Sequence, residues 1–170
     1  LALPDALVAL AGDEHRHLAP EFHRLFMARA DEVMVPRATI YPFAGPLLAS
    51  LRAAGLRTAI VSNKEAFRIE GILARFGLQG AADTIVGAGD VASPKPAPDA
   101  LLLALERLHT PRAQALYVGD NVVDAQAAAA AGLRFVAVTT GTTPASALAA
   151  WRPIAILPDA SGVLDLLDHR

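Results

Sequence analysis

From Tyr41 onward, short apolar runs alternate with helical stretches, and this alternation limits the possible fold more than any other feature of the chain. The runs are "RTAIVSN", "DTIVGA", "ALYVGD" and "RFVAVTTG", with a weaker one at "PIAIL". Between them the apolar spacing predicts helices over 44–54, 65–76, 98–108 and 123–131. Gly55, Gly77 and Gly132 stand where three of these helices close. The runs are apolar throughout instead of alternating, as expected of strands buried on both faces. Strand–helix alternation with short connections predicts an α/β fold, a parallel sheet with helices on both faces.

Residues 1–40 carry no such runs and read as helix alone. In "PEFHRLFMARADEVMV", Phe22, Leu25, Phe26, Arg29 and Val33 recur at helical spacing, and Pro20 and Glu21 suit a first turn. A boundary is expected between Arg37 and Pro42. The 170 residues fit one domain with a small appendage. Apolar residues make up 54%, which supports a close-packed core and excludes a disordered chain. The net charge of −2 comes without a basic block, so neither nucleic acid nor an anionic membrane surface is an expected partner. The lack of cysteine excludes disulfides and thiolate metal sites and leaves the redox compartment open. Apolar runs such as "ALLLALE" stop well short of a membrane span, and no basic stretch of a signal peptide opens the chain, so a cytoplasmic location is expected. The first residue is Leu1 and not Met, a hint that the chain does not begin where its gene does.

Ligands of open α/β sheets bind beyond the carboxyl ends of the strands, and three polar features fall there. Ser62 and Asn63 directly follow "AIV". A hydroxyl, an amide and free backbone N–H groups at a helix start suit an anion, while capping of the helix is the plainer reading of either residue alone. In "SPKPAPD", Pro94 and Pro96 hold Lys95 on a stiff, extended arm. Such a cation suits a phosphate or a carboxylate cluster, although an isolated Pro-Lys-Pro is more simply a solvated loop. Asp120 follows "LYVG" with Gly119 for a sharp turn, and Asp124 falls in the first turn of the next helix, where the helix dipole favours a carboxylate. Singly they are a cap and a first-turn residue. Facing one crevice, they suit a hard cation such as Mg²⁺, which takes one or two carboxylates and completes its shell with water and phosphate.

The order Ser-Asn, then Lys in a proline loop, then Gly-Asp-x-x-x-Asp resembles the haloacid dehalogenase (HAD) superfamily, most of all its phosphoglycolate phosphatase branch and Mg²⁺-dependent relatives. The resemblance runs from about Pro20 to the C-terminus. It includes "YPFAGPLLASLRAAGLRTAIVSNKEAF", "FGL", "IVGAGDVASPKPAPDALLLALERL", "ALYVGDNVVDAQAAAAAGLRFVAVTTG" and "LPDASGVLDLL". It implies a Rossmann-like, HAD-like core over 41–170 and a partial helical cap over 1–40. Ser62 would bind the transferring phosphoryl group through its hydroxyl, helped by the Asn63 backbone. Lys95 would pair with the nucleophilic carboxylate and a phosphate oxygen. Asp120 and Asp124 would serve the metal, Asp120 as a Mg²⁺ ligand and Asp124 by orienting Lys95 or water of the metal's shell. The implied reaction is hydrolysis of a small phosphorylated metabolite, with phosphoglycolate the leading guess, through an aspartyl-phosphate. Such chemistry rests on positioning and charge neutralisation.

One part of the family's pattern is missing. Members open with a strand ending in Asp-x-Asp-Gly-Thr, whose first Asp is the nucleophile and whose second is the general acid/base. Asp5, Asp13 and Asp31, the aspartates ahead of the core, neither follow an apolar run nor precede Gly-Thr. In the family this strand lies mid-sheet, so its loss is expected to leave two interior strands without a partner. Two rival readings therefore stand beside the phosphatase. One is a non-catalytic remnant that binds a phosphorylated ligand or a partner chain; the other is a metal-free 2-haloacid dehalogenase, against which Asp120 and Asp124 argue. His15, His17 and His23 read as a solvated surface, Phe22, Phe26 and Trp151 as packing, and Phe43 as core near the junction. The oligomeric state is left open.

Overall fold

A computed structural model describes residues 8–167. The chain falls into two compact units, Leu1–Thr39 and Ile40–Arg170. In the first, a 3-10 turn at Asp13–Leu18 leads into helix α1, Ala19–Arg37, which has Pro20 and Glu21 in its first turn. The apolar stripe of α1 is not packed as expected. Phe22, Leu25 and Phe26 are about half exposed, and Ala30 is the one buried residue of this helix. No other long helix among the described residues of this unit lies there to cover them. Trp151, in the second unit, is also exposed, at 39%.

The second unit begins with α2, Ala44–Ala53, and then alternates. Its elements are β1 Ala59–Val61, α3 Ala66–Arg75, β2 Thr84–Val86, α4 Asp99–Arg107, β3 Leu116–Gly119 and α5 Val122–Ala131. They continue with β4 Arg134–Val138, α6 Ala145–Ala149, β5 Ala155–Leu157 and α7 Val163–Leu167. The expected helices and strands are all present. Gly77 and Gly132 adopt φ of +70° and +69°, the left-handed turn that lets α3 and α5 stop and the chain double back. Helices α6 and α7 were not foreseen, because five residues are too few to display a period.

Every strand pair is parallel, and the strands form two sheets. In one, β1 pairs with β2, Ile60 opposite Ile85. In the other, β4 lies between β3 and β5, with Val136 opposite Val118 and Ala155. Among the described residues, β1 and β3 therefore each pair along one edge only. Helix α4 bridges the two halves, touching β1, β2 and α5. Its Ala100 and Ala104 pack with Val86 against Ala59 and Val61, while Leu101 packs with Ala127 and Ala131 of α5. The other side of α5 places Ala125 and Ala128 against Phe135, Ala137 and Leu148. The alanine run thus serves two packing surfaces at once, which bulkier side chains would hold apart.

The outer edge of β2 is blunted by Arg107, which donates to the Ile85 carbonyl at 2.7 Å and pairs with Asp90 at 3.1 Å. Asp90 also accepts the Gly87 N–H at 2.8 Å, and these bonds hold its carboxyl below the usual carboxylate range, the backbone bond most. Their contribution is present above the ordinary carboxylate pKa and is lost as pH falls through the lower folded value. Gly87 itself lets the end of β2 rest on the start of α3, since a Cβ there would lie 2.2 Å from the Ala66 nitrogen. That contact fixes the loop that carries Ser62 and Asn63. No described helix is long and apolar enough to cross a membrane.

Candidate functional site

The site grows from the carboxyl ends of β1 and β3. Ser62 continues the β1 ladder with its N–H on the Val86 carbonyl at 3.0 Å, and its hydroxyl oxygen accepts the Lys64 N–H at 3.1 Å. Helix α3 starts after Glu65 without a side-chain cap, so neither Ser62 nor Asn63 plays the capping part that either alone suggested. The Asn63 side chain instead grips the backbone of the proline loop from both sides. Its amide nitrogen donates to the Lys95 carbonyl at 2.8 Å, and its oxygen accepts the Lys95 N–H at 2.9 Å.

Lys95 is not a solvated loop residue. Its side chain is 10% exposed, and the ammonium donates to Asp124 Oδ1 at 2.7 Å, the Tyr117 hydroxyl at 2.9 Å and the Val61 carbonyl at 3.2 Å. An ammonium has three donors, and each has a protein acceptor. Asp124 is held as tightly. Asn121 accepts the Val123 N–H at 3.0 Å, and Asp124 Oδ2 accepts the Asn121 N–H at 3.1 Å, a reciprocal cap on α5. The other oxygen, Oδ1, takes both Lys95 and the Tyr117 hydroxyl, the latter at 2.9 Å. Gly119 makes room for this, because a Cβ there would lie 2.5 Å from the Asp124 Cβ.

Tyr117 was missed in the sequence, where a tyrosine inside "ALYVGD" reads as one more apolar strand residue. The available signal was its phenol, the one polar tip in an otherwise aliphatic stretch. Burial above all, then the charge of Asp124, the bond to it and the charge of Asp120, push the phenol far above its usual pKa, so it stays protonated.

Asp120 lies half-buried beyond β3, its carboxylate against Gly141 of the loop after β4; a Cβ on Gly141 would come 2.4 Å from Asp120 Oδ2. The shared loop also accepts a bond from the Tyr41 hydroxyl, at the Thr140 carbonyl, 3.1 Å away. Tyr41 stacks on Phe43 at 5.2 Å, so Phe43 is half-buried beneath an exposed ring and not in the core. The two aspartates therefore differ. Asp124 is engaged with Lys95, whereas no side-chain cation among the described residues meets Asp120. A partly desolvated carboxylate without a donor suits a cation from solution. Among the described residues no cluster of three or more His, Cys, Asp or Glu gathers, so a metal at Asp120 would take most of its shell from water and phosphate, as Mg²⁺ does. The donor set fits that ion. The geometry thus links Asn63, Lys95 and Asp124 into one bonded group, with Ser62 next to Asn63 in the chain and Asp120 following β3.

Residues 6–138 match the family model for haloacid dehalogenase-like hydrolases. A candidate pyrophosphatase of Caldanaerobacter subterraneus subsp. tengcongensis is 36% identical over 121 residues, covering 71% of this chain and 55% of the relative. A phosphoglycolate phosphatase of Cereibacter sphaeroides is 37% identical over 131 residues, covering 77% and 58%. This chain therefore spans little more than half the length of those relatives. A crystal structure of a Bacteroides fragilis protein, described as a candidate haloacid dehalogenase-like hydrolase, superposes with a TM-score of 0.88 at 34% identity, covering 95% of this chain and 77% of that one.

Proposed function

The chain belongs to the haloacid dehalogenase-like hydrolases, and from that premise we propose that it carries the phosphoryl-binding part of a Mg²⁺-dependent phosphatase. The substrate class is a small phosphomonoester, phosphoglycolate foremost. One observation carries the reading: a partly buried lysine, Lys95, is fixed by groups from β1, β3 and α5 at the end of the sheet where α/β ligands bind.

In the proposed reaction a carboxylate oxygen bonds to phosphorus as the ester P–O bond breaks, and the ester oxygen leaves with a proton given by a general acid, the second aspartate of the family's opening strand. Water then cleaves the acyl phosphate and releases inorganic phosphate. Ser62 donates its hydroxyl proton to a phosphoryl oxygen, and Lys95 neutralises the charge that gathers on the transferring group. Asn63 keeps the lysine loop in place, and Asp124 keeps the ammonium turned towards the site. Asp120 would hold Mg²⁺, which when bound supplies further neutralisation of phosphate charge. The nucleophilic aspartate would sit on a further strand between β1 and β3, whose edges left unpaired among the described residues suit it. Binding without turnover is the second reading, and the same unpaired edges favour it wherever no such strand is supplied.

The 170-residue chain is expected to show no Mg²⁺-dependent hydrolysis of phosphoglycolate or p-nitrophenyl phosphate above background. Turnover that disappears in Asp120→Asn would show that a nucleophile already lies within these residues and would overturn the assignment to a further strand.

A further inference from the structure

We propose that Tyr117 is a positioning residue that orients the Lys95 ammonium through its hydroxyl; the inference rests on the reading of Lys95 as the phosphoryl-binding cation. The Lys95 ammonium, the Tyr117 hydroxyl and Asp124 Oδ1 form a closed triangle with sides of 2.9, 2.9 and 2.7 Å. The ring of Tyr117 is accounted for by packing: it lies against Phe135, centroids 6.2 Å apart, and among Leu101, Ala127 and Ala131. Phenylalanine would satisfy all of that. The hydroxyl is the part that packing does not explain, and a buried hydroxyl is tolerated only where it is bonded.

Its bonds have a fixed sense. The phenol donates its one O–H to Asp124 Oδ1, and its oxygen accepts from the Lys95 ammonium. In so compact a triangle the two oxygens lie close together as seen from the ammonium nitrogen, so Tyr117 and Asp124 together hold its N–H bonds on that side. The remaining contact of the ammonium is with the Val61 carbonyl at 3.2 Å, the longest of the three. Val61 ends β1, directly before Ser62. An anion arriving at Ser62 therefore competes for the weakest of the three bonds, with the other two unbroken. Without the Tyr117 oxygen the ammonium keeps Asp124 and Val61, and an anion that displaces Val61 leaves Asp124 alone to hold it, so the ammonium is aimed less firmly.

The chain contains two lysines, Lys64 and Lys95, and Lys64 is exposed, so a lysine-selective ¹⁵N label yields Lys95 with an internal control. In the parent chain the Lys95 ammonium is expected to exchange slowly with water, to show a cross-relaxation contact with the Tyr117 hydroxyl proton, and to shift on titration with inorganic phosphate. Tyr117→Phe is expected to speed that exchange at least fivefold and to weaken phosphate binding read at Lys95 at least fivefold, with backbone amide signals little moved. Phe135→Leu, which disturbs the ring packing and spares the hydroxyl, is expected to leave both quantities within twofold. Phosphate binding at Lys95 that is unchanged by Tyr117→Phe, or equally weakened by Phe135→Leu, overturns the assignment of Tyr117 alone. A missing contact between the two protons in the parent overturns it even if the phenylalanine variant does not fold. A parent chain whose Lys95 signal ignores phosphate overturns the phosphoryl-site reading as well.

Discussion

Asp124→Ala is expected to lower the unfolding free energy by about 3–5 kcal/mol, the loss typical of removing one partner from a buried ion pair. The carboxylate is 9% exposed and accepts from Lys95, Tyr117 and the Asn121 N–H. Its removal leaves an ammonium and a phenol in the interior without their acceptor, and it strips the first turn of α5 of half its cap. In a chain of this size the midpoint of thermal unfolding should drop by roughly 10 °C or more. The paired replacement Lys95→Met with Asp124→Leu should recover most of that stability, because the cost lies in the orphaned charge and not in the loss of attraction. Urea unfolding of the parent chain and both variants checks this. A single variant that loses less than about 1 kcal/mol would mean that water reaches Lys95 freely.

Gly119→Ala is expected to be nearly as damaging, although it adds one carbon. That carbon would lie 2.5 Å from the Asp124 Cβ and 2.7 Å from its Cγ, far inside contact distance. Overpacking of this kind costs about 1–3 kcal/mol, and more where the neighbour cannot yield. Asp124 can yield only by letting go of Lys95, Tyr117 and Asn121. The test is a double-mutant cycle: with Asp124→Gly already present, which removes the Cβ as well as the carboxylate, the added Gly119→Ala should cost much less than it does alone. Additive losses would place the clash elsewhere than on Asp124.

Much of the site was legible because its residues sit at punctuation marks. Ser62, Asn63, Lys95, Asp120 and Asp124 follow strands or interrupt proline turns, where a polar residue stands out against apolar runs. Their partners were less so. Asn63 uses its side chain, and its hold on Lys95 spans a gap of 32 residues that no local pattern reports. Tyr117 hides within a strand because a phenol packs like a phenyl ring until its oxygen finds a charge. Asp120 and Asp124 look alike in sequence, yet only three-dimensional neighbours separate the one held by Lys95 from the one left open. The parallel pairing followed from continuous apolar strands, whereas the division into two sheets has no local signature in the chain. The exposed stripe on α1 did not follow, since periodicity predicts that a face is apolar but not that a covering surface is present.

The central claim is that Ser62, Lys95 and Asp120 form a site for phosphate and a hard cation, and calorimetric titration of inorganic phosphate with and without Mg²⁺ tests it most directly. The account predicts that phosphate binds, that Mg²⁺ tightens binding about tenfold or more, equivalent to about 1.4 kcal/mol, and that Asp120→Asn removes only the Mg²⁺ effect. An Mg²⁺ effect of the same size in Asp120→Asn, or no phosphate binding under either condition, would contradict it.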